Sequence, residues 1–360
     1  MIKQIDPVEY VPDVSIYPGQ SLADILESRN ISQAELARRM DKPVQAVNEI
    51  IMGKKEIIPS TAIALEHVLG LPAGFWLRLE SNYRESLARE KENGALGHQI
   101  KLLSAYPYKE MAAFGWVKET HSAKEKVAEL LKWLGVADLK VVPSQYEIAF
   151  RKSDKLSVAR EKLVAWLRHG EIELQNETLG EFDKGNVEAL MDSLRSVTSK
   201  EINIAHKEAK KMCADFGIAL IFTPEFKSFP VSGATRWVGK HPLVQVSLRF
   251  KTDDHLWFSI FHELGHVFKH KKDLFIENKG ENNHLEYEEE ANEFAASYLI
   301  PHDRYFQFVS QNPLGSPSAI TRFASEIGVA PGIIVGRLQH DKKIGMNQYN
   351  HLKKRLCWQR

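Results

Sequence analysis

Short runs of apolar residues at helical spacing occupy the first quarter of the chain. Leu22, Ile25 and Leu26 form the apolar face of a first predicted helix. Ser32 and Glu35 have the spacing of a capping box, in which a hydroxyl and a carboxylate close the start of a second helix. Three more helices are predicted to begin near Pro43, Ser60 and Phe75. The pattern therefore predicts a compact unit of five short helices.

The pattern changes beyond this unit. Residues 127–134 and 159–167 each predict an amphipathic helix, so the middle of the chain is expected to be mainly helical. Further on, a helix is followed by two β-rich runs, 218–222 and 243–248, and a last helix with a solvated basic face is predicted over 349–358. The predicted fold class is mainly α with a small β-sheet, that is, α+β.

Two changes in the sequence suggest where the domains divide. The run 89–94 is charged, ends in glycine and lacks large apolar residues, which favours a boundary near residue 95. The change from a helical to a β-containing pattern favours a second boundary near residue 195. The predicted organisation is an N-terminal helical domain over 1–95, a helical connecting region over 96–195 and a C-terminal α+β domain over 196–360.

Composition limits the classes of protein that remain. Apolar residues make up 43% and charged residues 26%, and no uninterrupted apolar run reaches the roughly eighteen residues that a membrane span needs. The start of the chain lacks the basic-then-apolar layout of a secretory signal, and its cysteines are Cys213 and Cys357. We therefore expect a cytoplasmic protein with no membrane partner. The 48 basic and 47 acidic side chains nearly cancel, so any nucleic-acid surface must be a local patch.

A His-Glu-x-x-His motif lies inside an apolar helical pattern at residues 258–268. His262 and His266 are four positions apart, so on a helix both imidazoles lie on one face and can bind one metal ion. Glu263 is placed to act as a general base on water at that ion instead of binding the ion. This spacing indicates a zinc-dependent peptidase centre of the gluzincin type. A chance match is the alternative, which the apolar setting disfavours because buried polar residues are costly unless bound or paired.

The third zinc ligand must come from outside this helix. A metzincin would need glycine at 269 and histidine at 272, where this chain has two lysines. In the acidic helix predicted to begin at Glu286, Glu288 lies about 60° from the centre of the apolar stripe, nearer than the other glutamates. Glu288 is therefore the predicted third ligand, and Asn292, one turn later, is placed to orient a ligating histidine. The alternative for Glu288 is a solvated charge favoured by the helix dipole.

The two segments together resemble the ImmA/IrrE family of metallo-endopeptidases. The resemblance rests on His-Glu-Leu-Gly-His at 262–266 and on the pattern Glu-x-x-Ala-Asn-x-Phe-Ala at 288–295, and it covers roughly residues 200–340. It implies that the three predicted ligands hold Zn²⁺, that Glu263 is the catalytic glutamate and that 196–360 form a zinc metallopeptidase-like domain. Members commonly cleave a DNA-binding repressor or antitoxin, which is the implied class of protein substrate.

Residues 17–80 resemble the HigA-type antitoxin branch of helix-turn-helix domains. The segments that carry the resemblance are Tyr17-Pro18-Gly19, Ser32-Gln33-Ala34-Glu35-Leu36-Ala37, Gly53-Lys54 and Gly74-Phe75-Trp76-Leu77. The resemblance implies that the domain over 1–95 binds operator DNA, with the helix that begins at Pro43 in the major groove. Gln45 and Asn48 would then face base edges. The implied phosphate contacts are Arg38, Arg39, Lys42, Lys54 and Lys55.

The function predicted for the whole chain is a DNA-binding regulator or antitoxin that also cleaves a specific regulatory protein. Residues 1–90 carry 10 basic and 13 acidic side chains, a net charge of −3, which leaves open that this unit serves protein contact or homodimer formation instead. The alternative function is a non-proteolytic HigA-like antitoxin that binds a toxin and represses its own operon. Its zinc site would be vestigial, or structural and closed by a fourth ligand such as His255, His284 or His302.

Overall fold

The computed structural model describes residues 17–141, 160–270, 273–277, 285–311 and 316–358. The chain divides into two compact units, Met1–His98 and Gln99–Arg360. In the described residues both units are mainly helical, and the second also holds a four-stranded sheet. This confirms the predicted fold class, mainly α with a small β-sheet. The predicted division into three domains stays a prediction.

The N-terminal unit is built from short helices around one apolar core. They are α1 (Pro18–Ser28), α2 (Gln33–Arg39), α3 (Val44–Ile51), α4 (Pro59–Leu69) and α5 (Ala73–Leu103), the last of which contributes its residues up to His98. Ser32 caps α2 by accepting a hydrogen bond from the backbone nitrogen of Glu35 at 3.1 Å. Gly70 ends α4 at a φ of +71°, a conformation that glycine adopts without strain. Leu36, Leu65 and Trp76 are fully buried at the centre of the unit.

The charged run 89–94 is helical and lies inside α5. Its residues are mostly good helix formers, and Arg89 pairs with Glu85 one turn earlier at 2.6 Å. A polar segment of this kind therefore continues a helix in solvent, although it contributes no apolar face.

The second unit contains the remaining elements. Its helices are α6 (Tyr108–Ala113), α7 (Ala123–Leu134), α8 (Arg160–Leu174), α9 (Val187–Val197), α10 (Ile202–Asp215), α11 (Asp253–Lys269), α12 (Leu285–Leu299), α13 (His302–Gln311), α14 (Pro317–Ile327) and α15 (Pro331–His340). Its strands are β1 (Ala219–Phe222), β2 (Gly233–Val238), β3 (His241–Val246) and β4 (Phe275–Glu277). In the described ranges no single helix is long and apolar enough to cross a membrane, and only the bent pair α14 and α15 reaches that length and composition jointly.

The sheet has the strand order β1-β3-β2-β4. β1 runs parallel to β3, with Ala219 opposite Leu243. β1 lies within the predicted β-rich run 218–222, and β3 begins two residues before the predicted run 243–248 and overlaps it up to Val246. β2 is antiparallel to both β3 and β4, with Thr235 opposite Phe275. Neither β2 nor β4 is predicted from the sequence, because β2 contains glycine and arginine and β4 is only three residues long.

The sheet lies between α8 and α11. Since side chains alternate along a strand, Leu220 and Val244 join the apolar core around α11, while Gln245 faces α8. Gln245 Nε2 donates to the carbonyl of Trp166 at 2.6 Å, and a Cβ added at Gly170 of α8 would overlap the Gln245 side chain. Gly170 therefore marks a close approach of helix to sheet, and it lies inside α8, which continues to Leu174, beyond the predicted range 159–167.

Residues 349–358 form no α-helix, so the predicted helix over this range is wrong. A single 3₁₀ turn, Asn350–Leu352, is followed by extended backbone in which Arg355 bridges to Thr252. Nζ of Lys353 is buried 2.7 Å from Oδ2 of Asp254, at the start of α11. Nζ of Lys354 donates to the carbonyls of Ser199 and Lys200, and the backbone N–H of Leu356 donates to the carbonyl of Lys251 at 2.8 Å, which favours the extended form.

Candidate functional site

The buried helix α11 brings two imidazoles together. His262 and His266 lie one turn apart, each 1% exposed, and their Nε2 atoms are 3.1 Å apart. Phe275 of β4 stacks on the His266 ring, with the ring centres 4.3 Å apart. The facing nitrogens make this point a candidate site for a metal ion.

Helix α12 supplies a carboxylate to the same point. Oε2 of Glu288 lies 3.2 Å from Nε2 of His262, and Oε1 lies 3.6 Å from Nε2 of His266. The two helices approach closely because Gly265 has no side chain: a Cβ there would lie 3.1 Å from Cα of Ala291. The structure thus brings the three predicted ligands together.

The geometry of these three side chains fits zinc. In the described residues their ligand atoms form a group within 4.8 Å of one another. Tetrahedral zinc with bonds of about 2.0–2.1 Å holds its ligand atoms about 3.3 Å apart. The two imidazole nitrogens are 3.1 Å apart, and different oxygens of the Glu288 carboxylate lie 3.2 Å from Nε2 of His262 and 3.6 Å from Nε2 of His266. Two imidazoles and a glutamate are also a donor set of catalytic zinc sites.

The histidines considered as a fourth ligand do not join this group where they are described. His255 stacks on Phe250 with the ring centres 4.2 Å apart, and Nε2 of His302 lies 2.6 Å from Oε1 of Glu293. His284 lies outside the described residues. In the part of the chain that is described, the group therefore offers three candidate ligands, the number typical of catalytic zinc sites.

The other nitrogen of each histidine faces a second polar side chain. Oδ1 of Asn292 lies 3.0 Å from Nδ1 of His262, where it can orient that ring. Nδ1 of His266 lies 2.9 Å from Nδ1 of His270, and Nε2 of His270 lies 2.9 Å from Oε2 of Glu290. Sequence reasoning identified Asn292 but missed His270 and Glu290.

Glu263 is fully buried and is held by the sheet. Oγ1 of Thr235 donates to Oε2 of Glu263 at 2.6 Å and also lies 3.0 Å from its carbonyl oxygen. On the same face of β2, a Cβ added at Gly233 would lie 2.8 Å from Cγ of Glu263. Sequence reasoning missed both residues of β2. The available signal was Gly233 itself, because a glycine inside a strand often marks a close approach.

The predicted base-reading residues lie exposed on α3 of the N-terminal unit. Nε2 of Gln45 donates to Oε1 of Glu49 at 2.9 Å, and Nδ2 of Asn48 donates to Oε1 of Gln33 at 3.4 Å. Gln33 begins α2, so α2 and α3 present polar side chains on one surface. Val44, 50% exposed at the start of α3, adds an apolar group of the kind that contacts a thymine methyl.

The predicted phosphate contacts are exposed to different degrees. Nη2 of Arg38 and Nε of Arg39 lie 2.7 and 2.6 Å from Oε1 of Glu35. The hydrogen bond from Arg38, followed by that from Arg39, lowers the pKa of Glu35 from its ordinary value to about 2. Any phosphate contact by these arginines must therefore compete with Glu35. The remaining predicted contacts flank α3: Lys42 is half-buried, and Lys54 and Lys55 are exposed.

Two segments of the chain, one in each compact unit, match known families. Residues 22–76 match the helix-turn-helix family. Residues 213–338 match the family described as IrrE N-terminal-like domain, of peptidase group M78. The first match covers α2 and α3, and the second covers α11, α12 and their ligand residues.

Individual relatives correspond to about a quarter of the chain or less. Virulence-associated protein A of Dichelobacter nodosus is 30% identical over 96 residues, which cover 26% of this chain and 90% of the relative. The HTH-type transcriptional regulator YddM of Escherichia coli K12 is 31% identical over 64 residues, 18% of this chain and 68% of the relative. A solved addiction module antidote protein of the HigA family from Coxiella burnetii is 29% identical, covering 24% of this chain and 94% of its own, with a TM-score of 0.22.

Proposed function

We propose that this chain, which belongs to the proteins that join a helix-turn-helix domain to an IrrE-type peptidase domain, is a DNA-binding regulator. In this proposal it also cleaves a specific regulatory protein by zinc-dependent hydrolysis. The observation that carries the peptidase half is the convergence of His262, His266 and Glu288 on one point. The buried carboxylate of Glu263 adjoins the first of these ligands in sequence. The DNA-binding half is supported by the helix-turn-helix match and by the exposed polar side chains of α3.

Each side chain of the centre has a chemical role in this proposal. His262, His266 and Glu288 would hold Zn²⁺, which when bound supplies a Lewis acid that lowers the pKa of water to about 7. Glu263 takes a proton from the attacking water as the water oxygen adds to the peptide carbonyl carbon. The same carboxylic acid then gives that proton to the leaving amide nitrogen, so Glu263 ends the cycle ionised. Thr235 holds the Glu263 carboxylate during both transfers.

The partners follow from the two halves. Operator DNA is the ligand of the N-terminal unit, and its usual two-fold symmetry makes a homodimer part of the proposal. The protein substrate belongs to the same regulatory circuit, as a repressor or an antitoxin. A narrow substrate of this kind means that general protease substrates such as casein are a poor test.

The test pairs native protein with Glu263→Gln, which keeps the size of the side chain and removes the base. Each is incubated with the proteins encoded beside this gene, with and without a zinc chelator. We expect a discrete fragment from the native protein alone, lost on chelation, because general-base assistance is worth roughly 10²–10⁴-fold in rate. Glu293→Gln is the matched control, since Glu293 lies on α12 but pairs with His302. Both native protein and Glu263→Gln should contain zinc.

The second candidate is a regulator that binds DNA and a toxin without proteolysis. YddM, named as an HTH-type transcriptional regulator and matched over 68% of its own length, supports only the DNA-binding part of this candidate. If no neighbouring protein is cut while DNA binding persists equally in native protein and Glu263→Gln, this candidate replaces the peptidase.

A further inference from the structure

The two ligand histidines are held by different outer partners. Nδ1 of His262 faces the neutral amide of Asn292, whereas Nδ1 of His266 faces a second histidine that continues to a carboxylate. The side chain of His270, the second histidine, is 2% exposed, while the side chain of Glu290 is 51% exposed. His266 is therefore linked through a buried ring to a charge at the surface.

The spacing at the end of α11 makes this link possible. The helix ends at Lys269, but the backbone N–H of His270 still donates to the carbonyl of His266, four residues earlier, at 3.3 Å. Side chains four residues apart lie on one face of a helix, so the His270 ring lies beside His266. It packs between Phe275 and Tyr287, with ring centres 5.3 and 4.7 Å away.

The ionised carboxylate at one end fixes where the protons lie. Glu290 can only accept, so Nε2 of His270 donates to it. A neutral imidazole carries one N–H, which leaves Nδ1 of His270 as an acceptor. Nδ1 of His266 must then be the donor in the 2.9 Å contact between the two rings. As a result, Nε2 of His266 carries the lone pair, and it points at Glu288 and His262.

We infer that His270 and Glu290 are positioning residues for the metal centre: they hold His266 as the Nδ1–H tautomer with Nε2 directed at the zinc site. The inference rests on the proposed zinc function. A hydrogen bond to the outer nitrogen of a metal-binding histidine fixes its tautomer and orientation, and loss of such a partner typically weakens metal binding about 10–100-fold.

Zinc affinity of the full chain, measured by competition with a chromophoric chelator, tests this inference. His270→Phe keeps a ring of similar shape but has no acceptor, so we expect zinc to bind about 10–100-fold more weakly. His270→Asn places an amide oxygen near the position of Nδ1, and it should restore most of the affinity. Glu290→Ala should weaken zinc binding in the same direction as His270→Phe.

The chain offers a matched control on the same helix as Glu290. Glu293 of α12 forms a second histidine–glutamate pair with His302, 2.6 Å apart, and His302 is not one of the proposed zinc ligands. His302→Phe and Glu293→Ala should therefore leave zinc affinity at the native value. Equal weakening by the two histidine variants would overturn the inference, because it would show a general effect on α12.

The tautomer provides a readout that does not depend on metal. In metal-free protein, ¹⁵N NMR of the imidazoles should show His266 protonated at Nδ1 in the native chain and in His270→Asn, but not in His270→Phe.

Native zinc affinity in His270→Phe would overturn the inference and leave the zinc proposal intact. Absence of zinc binding by the native chain would overturn the proposed function, and the tautomer measurement would then decide the inference alone. If His270→Phe does not fold, His270→Asn and Glu290→Ala carry the same comparison.

Discussion

Oγ1 of Thr235 donates a 2.6 Å hydrogen bond to Oε2 of Glu263, and both side chains are almost completely buried. The bond joins β2 to α11 at the residue proposed as the general base. A carboxylate that accepts and then delivers a proton acts efficiently only when it is held in line with the reacting atoms. Thr235 therefore belongs to the functional part of the sheet, although it has no charge and no place in the zinc motif.

Replacing Thr235 by valine tests this relationship. Thr235→Val keeps the branched shape and removes the donor, and a hydrogen bond to a charged group contributes about 1.5–3 kcal/mol. We expect the cleavage rate to fall about tenfold or more while the zinc content stays at the native level. Thr235→Ser keeps the hydroxyl and serves as the control. A native rate for Thr235→Val would show that Glu263 does not depend on this bond.

A second prediction separates the glutamates of α12. Glu288→Ala removes a proposed ligand, so its zinc affinity should fall by more than the roughly 10–100-fold expected for an outer partner. Glu293→Ala removes a carboxylate of the same helix that contacts His302 instead. Zinc content after dialysis against a weak chelator, measured by mass spectrometry, distinguishes the two. If Glu293→Ala loses zinc and Glu288→Ala retains it, the assignment of the third ligand is wrong.

Helical periodicity accounts for what the sequence predicts well. His262 and His266 need only the spacing of one helix turn, and Glu288 needs only the position of the apolar stripe on α12. These are local properties, so they can be obtained without knowing the fold. The mainly helical class and the strands β1 and β3 likewise follow from local patterns.

The missed residues depend on contacts between distant segments. Thr235 and Gly233 face Glu263 only because β2 packs on α11, and their strand has no strong β pattern of its own. His270 lies one helix turn after His266, but its other partner, Glu290, comes from α12, twenty positions later in the chain. Lys353 was expected on a solvated helix because its partner, Asp254, lies 99 positions earlier in the chain.

The third prediction concerns DNA recognition by α3. Gln45→Ala or Asn48→Ala should cost about 1–3 kcal/mol at one base position and leave binding to other sequences nearly unchanged. Lys54→Ala should weaken binding to all sequences alike and reduce the dependence on salt. Fluorescence anisotropy with the upstream DNA of this gene and with single-base variants measures both effects. Equal affinity of native protein for unrelated duplexes would contradict a specific operator.

The last prediction concerns the carboxylate that begins α11. Asp253 is 1% exposed, and its pKa is raised from the ordinary value to about 6, mainly by burial and also by the neighbouring Asp254. Two backbone N–H groups, of Lys354 and Asp254, donate to its Oδ1 at 2.9 and 3.0 Å and act in the opposite direction. The charged form of Asp253 is therefore less favourable in the folded chain than in the unfolded chain.

The sign of the pH dependence follows from this difference. Between the unfolded pKa of about 3.9 and the folded value of about 6, the folded chain binds more protons, so the free energy of unfolding falls as pH rises. Asp253→Asn keeps an Oδ1 acceptor and does not titrate, so it lacks this loss. At about 1.4 kcal/mol per pKa unit, its stability relative to the native chain should improve by up to roughly 3 kcal/mol between pH 4 and pH 7. Urea unfolding of both proteins across this range measures the difference, and the contribution of the shared N-terminal unit cancels. Parallel curves would show that the buried carboxylate stays ionised without cost, and that the contacts at the start of α11 compensate fully for its burial.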